Sequence, residues 1–262
     1  MYDEQSDFAD HQEQIAAFLS VVERAGVTIQ EQMTVLDLGC GQGMHAGFLS
    51  AHFGSVFGAD VIDFSSLYEG QFLKLLAEKH ARHSIPFSLR KIQFNQTDAM
   101  NLIYRDRLFD VCFCVNAFEH IPSPEKALQE IIRVLKPGGH AYISFDPIWT
   151  ADTGGHFPHR VGEPWGHLVR SDDEYIALMA GAEAWEIDEF RHAMNRRRLV
   201  EHRRNFEEAA GRGEITILHQ DAWKGVVKPD HCQHKNWRTC LAMGFSEEEL
   251  LTRGMRYLFK RR

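Results

Sequence analysis

Three glycines, Gly39, Gly41 and Gly43, stand at alternate positions at the end of the apolar run TVLDLG (Thr34 to Gly39), with a carboxylate, Asp37, just before them. Glycines at the end of a strand let backbone N–H groups approach a ligand at the mouth of a sheet. Two further acids close later apolar runs: Asp60 ends SVFGAD, with Val61 after it, and Asp98 follows KIQFNQ, with Ala99 after it. A carboxylate accepts two hydrogen bonds at once, which suits a pair of ligand hydroxyls. A pyrophosphate-binding turn needs G-x-G-x-x-G, whereas here Met44 holds the sixth position and the spacing is G-x-G-x-G. A dinucleotide is therefore disfavoured.

Histidine supplies the other chemistry. The chain has 15, and His156, His159 and His167 fall in one stretch, DPIWTADTGGHFPHRVGEPWGHLVR (Asp146 to Arg170), beside Trp149, Phe157 and Trp165. An imidazole titrates near neutrality and can take a proton from a hydroxyl acceptor, or it can brace a loop through backbone hydrogen bonds. His120 belongs to a second candidate segment, Asn116-Ala117-Phe118-Glu119-His120, directly after an apolar run. His231, Cys232, His234 and Cys240 have zinc-type ligands, but their spacing fits no standard structural site and no metal is expected. Cys112 and Cys114 flank Phe113 as small buried apolar residues, and Cys40 lacks an activating partner. Arg191, Arg196, Arg197, Arg198, Arg203 and Arg204 concentrate positive charge, either as a solvated helix face or as an attraction for a phosphate- or carboxylate-bearing acceptor.

The elements that must position these residues are legible in the middle of the chain. TVLDLG, SVFGAD (Ser55 to Asp60), KIQFNQ (Lys91 to Gln96), FDVCFCVN (Phe109 to Asn116) and HAYISF (His140 to Phe145) read as strands separated by helical patterns, the signature of a parallel sheet with crossover helices. The helix after the fourth strand is capped by Ser123, starts with Pro124, lines one face with Leu128, Ile131, Ile132 and Leu135, and ends at Pro137-Gly138-Gly139. Phe8 to Ala25 reads as an amphipathic helix ahead of the sheet. After Phe145 the alternation stops. Capping boxes are predicted at Ser171 to Glu174 and Ser246 to Glu249, helix over Glu183 to Ala210, and strands over Glu214 to Gln220 and Met255 to Lys260, with a second irregular stretch from Ala222 to Phe245. One domain is expected: a helical region 1–32, a cofactor-binding core 33–145, and acceptor-side loops, helices and last strands 146–262.

The loop's donors and neighbouring acid suit S-adenosylmethionine, which presents an ammonium, a carboxylate and a sulfonium in place of a pyrophosphate. VLDLGCGQG, VFGAD, QTDAM and FDVCFCVNAFEHIPSPEKALQEIIRVLKPGG, in that order, resemble the class I S-adenosylmethionine-dependent methyltransferases, in their small-molecule, type 11-like branch. The resemblance spans Thr34 to Phe145. It implies an α/β Rossmann-like seven-stranded, mostly parallel sheet with helices on both faces and a reversed final strand. It also implies cofactor contacts from Asp37, Gly39, Cys40, Gly41, Gly43, Asp60, Val61, Asp98, Ala99 and Asn116, and S-adenosylhomocysteine as product. Acceptor chemistry is expected at His120, His156 and His167. The segment after the fourth strand lacks the Asn-Pro-Pro-Tyr pattern of enzymes that methylate planar nitrogens. GGHF and PWGHL resemble loops of methyltransferases acting on surface sugars, so the expected acceptor is a polar small molecule, preferably a hydroxyl of a sugar, a surface-glycan precursor or a nucleotide-sugar. A cofactor-binding protein without transfer activity, or an N-methyltransferase of a small metabolite, is the alternative.

Composition is consistent with this. The 262 residues, 44% hydrophobic and 25% charged, suit a soluble α/β domain. Acidic residues (37) exceed basic ones (29), which disfavours a nucleic-acid partner. Leu38 to Ala59 contains no Asp, Glu, Lys or Arg and is long enough to span a bilayer, but its six glycines read as a loop-bearing segment and not a membrane span. Five cysteines, an odd number, and no secretory leader pattern point to a cytoplasmic protein.

Overall fold

The computed structural model describes residues 3–262. Its order is α1 (Glu4–Arg24), β1 (Thr34–Leu38), α2 (Met44–Leu49), β2 (Ser55–Asp60), α3 (Phe72–Arg82), β3 (Ile92–Gln96), β4 (Phe109–Val115), α4 (Pro124–Val134) and β5 (Leu135–Phe145). Then follow α5 (Asp172–Leu178), α6 (Ala184–His192), α7 (Leu199–Gly211), β6 (Ile215–Lys224), α8 (Lys235–Ala242), α9 (Glu247–Leu251) and β7 (Thr252–Arg261). The strands form one seven-stranded sheet in the order β3-β2-β1-β4-β5-β7-β6. β1 to β5 pair in parallel, and β7 runs antiparallel to both β5 and β6. This is the Rossmann-like arrangement with a reversed last strand.

Side chains alternate across the sheet with the strand period of two. Leu36, Cys112 and Ile143 face a core completed by Leu128, Ile131 and Phe206 from α4 and α7. Val35, Phe113 and Tyr142 face the opposite core, completed by Phe18, Phe48 and Leu76 from α1, α2 and α3. The charge-free stretch from Leu38 is thus sheet, loop and α2. No described helix is long and apolar enough to cross a membrane.

Some boundaries differ from expectation: β6 runs on to Lys224, β7 starts at Thr252, and α8 lies within the stretch from Ala222 to Phe245 expected to be irregular. Leu135 starts β5, pairing with Phe109, instead of ending the preceding helix; the register is then interrupted over Lys136 to Gly139 and resumes where His140 pairs with Val111. The predicted helix over Glu183 to Ala210 breaks between His192 and Leu199, where Arg196 takes a φ of 56°. Tertiary hydrogen bonds compensate for the break. Asn195 donates its backbone N–H to Glu119 O (2.9 Å) and its side-chain amide to Phe118 O (2.9 Å). The segment thereby braces the loop after β4.

α1 is part of the core. Phe18 is fully buried, edge-on to Phe113 at 5.3 Å and to Tyr142 at 5.2 Å between ring centroids. Phe18→Ala should lower stability by about 3–5 kcal/mol, the usual cost of emptying a large aromatic site. Urea unfolding checks this; a loss below about 1 kcal/mol would mean that α1 is only loosely attached.

Candidate functional site

The glycine turn leaves the carboxyl end of β1 with Gly39 N–H and Cys40 N–H donating to Ala59 O (2.8 and 3.2 Å). Gly39 has φ 72°, and a Cβ there would stand 2.2 Å from the Cβ of Ala117. Only glycine lets the β1 and β4 loops come this close. Gly41 N–H donates to Asp60 Oδ2 (2.9 Å) and Ile62 N–H to Asp60 Oδ1 (3.3 Å), so the turn itself aims the acid at the end of β2. Asp98 Oδ1 accepts from Met100 N–H (2.8 Å) in the loop after β3.

Between these loops lies a cavity of about 660 Å³ whose lining includes Gly39, Gly41, Asp60, Val61, Asp98, Ala99, Asn116 and His120. That size is right for a small-molecule cofactor. A second cavity of about 470 Å³ shares Gly39, Gly41 and Asn116 with it and adds Cys40. Its far wall is the α1 face bearing Asp7, Asp10, His11 and Gln14. Gln14 is fixed there by His45 Nε2 at 2.7 Å. Gly43 is the one proposed contact committed to packing: it starts α2 with φ 74°, and a Cβ would meet the Phe94 ring at 2.7 Å.

Asp37 lies beneath the turn, 1% exposed, with Oδ2 lacking a hydrogen-bond partner. Burial first, and the neighbouring Asp60 charge second, push its carboxyl from 3.8 up to about 8. Glu119, after β4, is also buried with an unpartnered Oε2, and burial holds its carboxyl well above the usual range. These features fit S-adenosylmethionine. The turn has an open face at Gly41, where a Cβ would meet nothing within 4 Å, and its N–H groups are spent on holding the turn against Ala59 O and Asp60. The orphaned Asp37 carboxyl is neutral while the site is free of charge and can ionise beside a cation.

The three expected acceptor-side histidines separate. His120 lines the larger cavity, and its Nδ1 donates to Ala193 O (3.1 Å), which leaves Nε2 as the acceptor of a neutral ring. Burial lowers its pKa. His156 packs edge-on against it, 5.0 Å between centroids, with Nε2 placed to donate to Pro147 O (3.4 Å) and a pKa lowered by burial to about 4. His167 is buried outside the cavity lining; its Nε2 donates to Trp149 O (2.7 Å) and its ring abuts Trp149, so it braces the loop. His159 likewise pairs with Glu186 (3.1 Å).

Sequence reasoning missed Glu189 of α6, which lines the larger cavity, and the polar stripe on α1. Asp10, Gln14 and Ala17 stand at i, i+4 and i+7, a spacing that marks one helix face in the sequence. The arginine cluster is consumed in ion pairs: Arg191–Asp173, Arg196–Asp172, Arg197–Glu125, Arg198–Glu249, Arg203–Glu248 and, more loosely, Arg204–Glu208. His231 Nδ1 donates to Asp152 Oδ2 (2.6 Å), joining the two irregular stretches, and Cys240 is buried.

Residues 36–143 match the family model described as "Methyltransferase domain". The chain is 35% identical over 158 residues to a sterol 24-C-methyltransferase of Pneumocystis carinii, covering 60% of this chain and 39% of that protein. It is 30% identical over 144 residues to the chloroplastic tocopherol O-methyltransferase of Arabidopsis thaliana, covering 53% and 38%. The matched region thus spans about two fifths of the length of these curated relatives. In fold it is similar to an S-adenosylmethionine-dependent methyltransferase from Mesorhizobium loti (TM-score 0.50, 19% identity, 91% of this chain and 95% of that one). It is also similar to the [4+2]-cyclase SpnF (TM-score 0.51, 16% identity, 92% and 78%).

The Asp37 carboxyl makes a signed prediction. Its folded pKa of about 8 lies above its ordinary 3.8, so the folded state holds the extra proton between those values. Its contribution to stability is then present below the lower value and lost as pH rises toward the upper one. Stability of the ligand-free protein should fall across that window and Asp37→Asn should flatten the fall, measured by urea unfolding at several pH values. Equal slopes in both proteins would remove the buried, protonated Asp37 from the account.

Proposed function

We propose that this chain, whose residues 36–143 match a methyltransferase domain, transfers the methyl group of S-adenosylmethionine to a hydroxyl of a polar small molecule, a sugar or surface-glycan precursor being preferred. The observation that carries this reading is His120: a neutral imidazole fixed by Ala193 O through one nitrogen, with the other free, on the wall of the larger cavity. The arginine ion pairs argue against a phosphate-bearing acceptor held by that cluster.

In this reading the amino-acid end of the cofactor rests against the open face of the Gly39 to Gly41 turn above Asp37, the ribose hydroxyls meet Asp60, and the adenine lies by Val61, Asp98 and Ala99. When bound, the cofactor supplies a methyl group already activated on a sulfonium. The protein's task is then to align the acceptor oxygen in line and to receive its proton. Asn116 and Ala117 border the path of approach. His120 Nε2 accepts the hydroxyl proton, and His156, whose ring edge packs on His120, holds that imidazole in place.

His120→Gln should reduce turnover by about 10²-fold while leaving S-adenosylhomocysteine affinity unchanged, since general-base catalysis contributes on that order. In the wild type, turnover should be constant above pH 6.5 and fall as His120 protonates at lower pH, because burial lowers its pKa from that value. Methyl-transfer kinetics with calorimetric titration of S-adenosylhomocysteine check both; unchanged turnover in the variant would exclude His120 as the base.

A further inference from the structure

A third cavity, of about 350 Å³, opens beside the cofactor cavities and shares Asn116 with both; its remaining walls come from α1 and from the ends of β4 to β7. At the back of this cavity Trp223 and Asp146 are brought side by side by a glycine of β7. A Cβ on Gly254 would stand 2.2 Å from the Trp223 ring and 2.6 Å from the Asp146 Cβ. No side chain but hydrogen fits there. Asp146 is held from behind by Arg253 (Nε to Oδ2, 3.6 Å), and Arg253 reaches Asp152 (3.9 Å), the carboxylate that binds His231.

Carboxylates outnumber cations in the wall of this cavity, Asp10, Glu13 and Asp146 standing against Arg256. Arg256 is its cationic wall residue, and it is already neutralised by Asp221 (3.1 Å), its guanidinium lying over the Trp223 ring at 5.4 Å from the centroid. Asp10 and Glu13 of α1 form the opposite rim, are exposed, and have no ion-pair partner among the described residues. An indole ring packed beside a carboxylate, facing further carboxylates across a cleft, is an arrangement that attracts an organic cation, chiefly through charge, since Arg256 already lies over the ring.

Resting on the methyltransferase reading above, we propose that this third cavity receives the acceptor and that the acceptor is a hydroxylated molecule carrying a protonated amine, recognised by Trp223 and Asp146 with Glu13 opposite. The amine is the handle and not the methylated atom. Its nitrogen, protonated and held by carboxylates, has no lone pair to attack a methyl group. The oxygen of a neighbouring hydroxyl forms the new bond to the methyl carbon as the carbon–sulfur bond breaks, and the hydroxyl proton leaves to His120.

The probes are glucosamine, glucose and glucuronate, titrated calorimetrically into the full chain saturated with S-adenosylhomocysteine. Glucosamine should bind at least about ten-fold more tightly than glucose, and glucuronate more weakly than either. Asp146→Asn and Trp223→Leu should each erase most of the preference for glucosamine while S-adenosylhomocysteine affinity stays at the wild-type value, which shows that the variants are folded. Glu13→Gln, on the exposed rim, should reduce the preference without touching the core. Equal binding of glucose and glucosamine, preference for glucuronate, or no binding of any of the three overturns the amine assignment. So does a preference that survives in both Asp146→Asn and Trp223→Leu, or an N-methylated product when glucosamine is incubated with the protein and S-adenosylmethionine as methyl donor. Failure of the wild type to bind S-adenosylhomocysteine at all overturns instead the reading beneath it.

Discussion

The site depends on one close approach of backbone to side chain. At Gly39 the chain leaving β1 passes so near Ala117 that any side chain would overlap it. Because the two loops meet there, the carboxyl edge of the sheet divides around Asn116 into adjoining cavities, one toward β2 and β3 and the others toward α1 and the later strands. The parallel order β2-β1-β4-β5 puts the topological switch at the β1–β4 neighbourhood, where open α/β sheets place their ligands. Asp60 is then oriented by the same turn, through Gly41, so the turn and the acid form one rigid unit.

Electrostatically the interior and the rim differ. Inside, burial opposes charge: Asp37 and Glu119 are pushed upward toward their protonated forms, and His120 and His156 downward toward neutral rings. A cationic ligand entering such a space meets carboxyls ready to ionise in its favour and imidazoles that do not repel it. Outside, the rim is acidic, and the cluster of arginines that dominates α7 and its approach is spent on holding elements together. Arg198, bound to Glu249 at 2.7 Å, ties the start of α7 to α9, and Arg203 does the same to Glu248.

The irregular half of the chain is ordered by polar contacts more than by periodic patterns. Asp152 accepts from Val227 N–H (2.7 Å) and from His231 (2.6 Å), fastening the stretch after β5 to the stretch after β6. Around this joint Trp149, Trp165, Tyr175 and Phe190 form their own apolar cluster. The break between α6 and α7 belongs to the same design, because Asn195 and Ala193 hold the loop after β4 and fix the ring of His120. None of these pairs is close in sequence.

The amino-acid sequence determined the strands from Thr34 to Phe145, the glycine turn and the acids at the ends of β1, β2 and β3, since each is written in local pattern: short continuous apolar runs, turn chemistry, and residues adjacent to a strand end. It also contained the reversed last strand, once the order of motifs was set beside a known family. Tertiary structure alone decided which histidine faces the cavity, for His120 and His167 are equally plausible as letters and differ only in what packs over them. It likewise decided that the helix predicted through Ala210 breaks, that α1 turns a polar face to the site, and that Gly254 seats Trp223 beside Asp146. Each of those outcomes is set by contacts between segments tens of residues apart, which no window along the chain can contain.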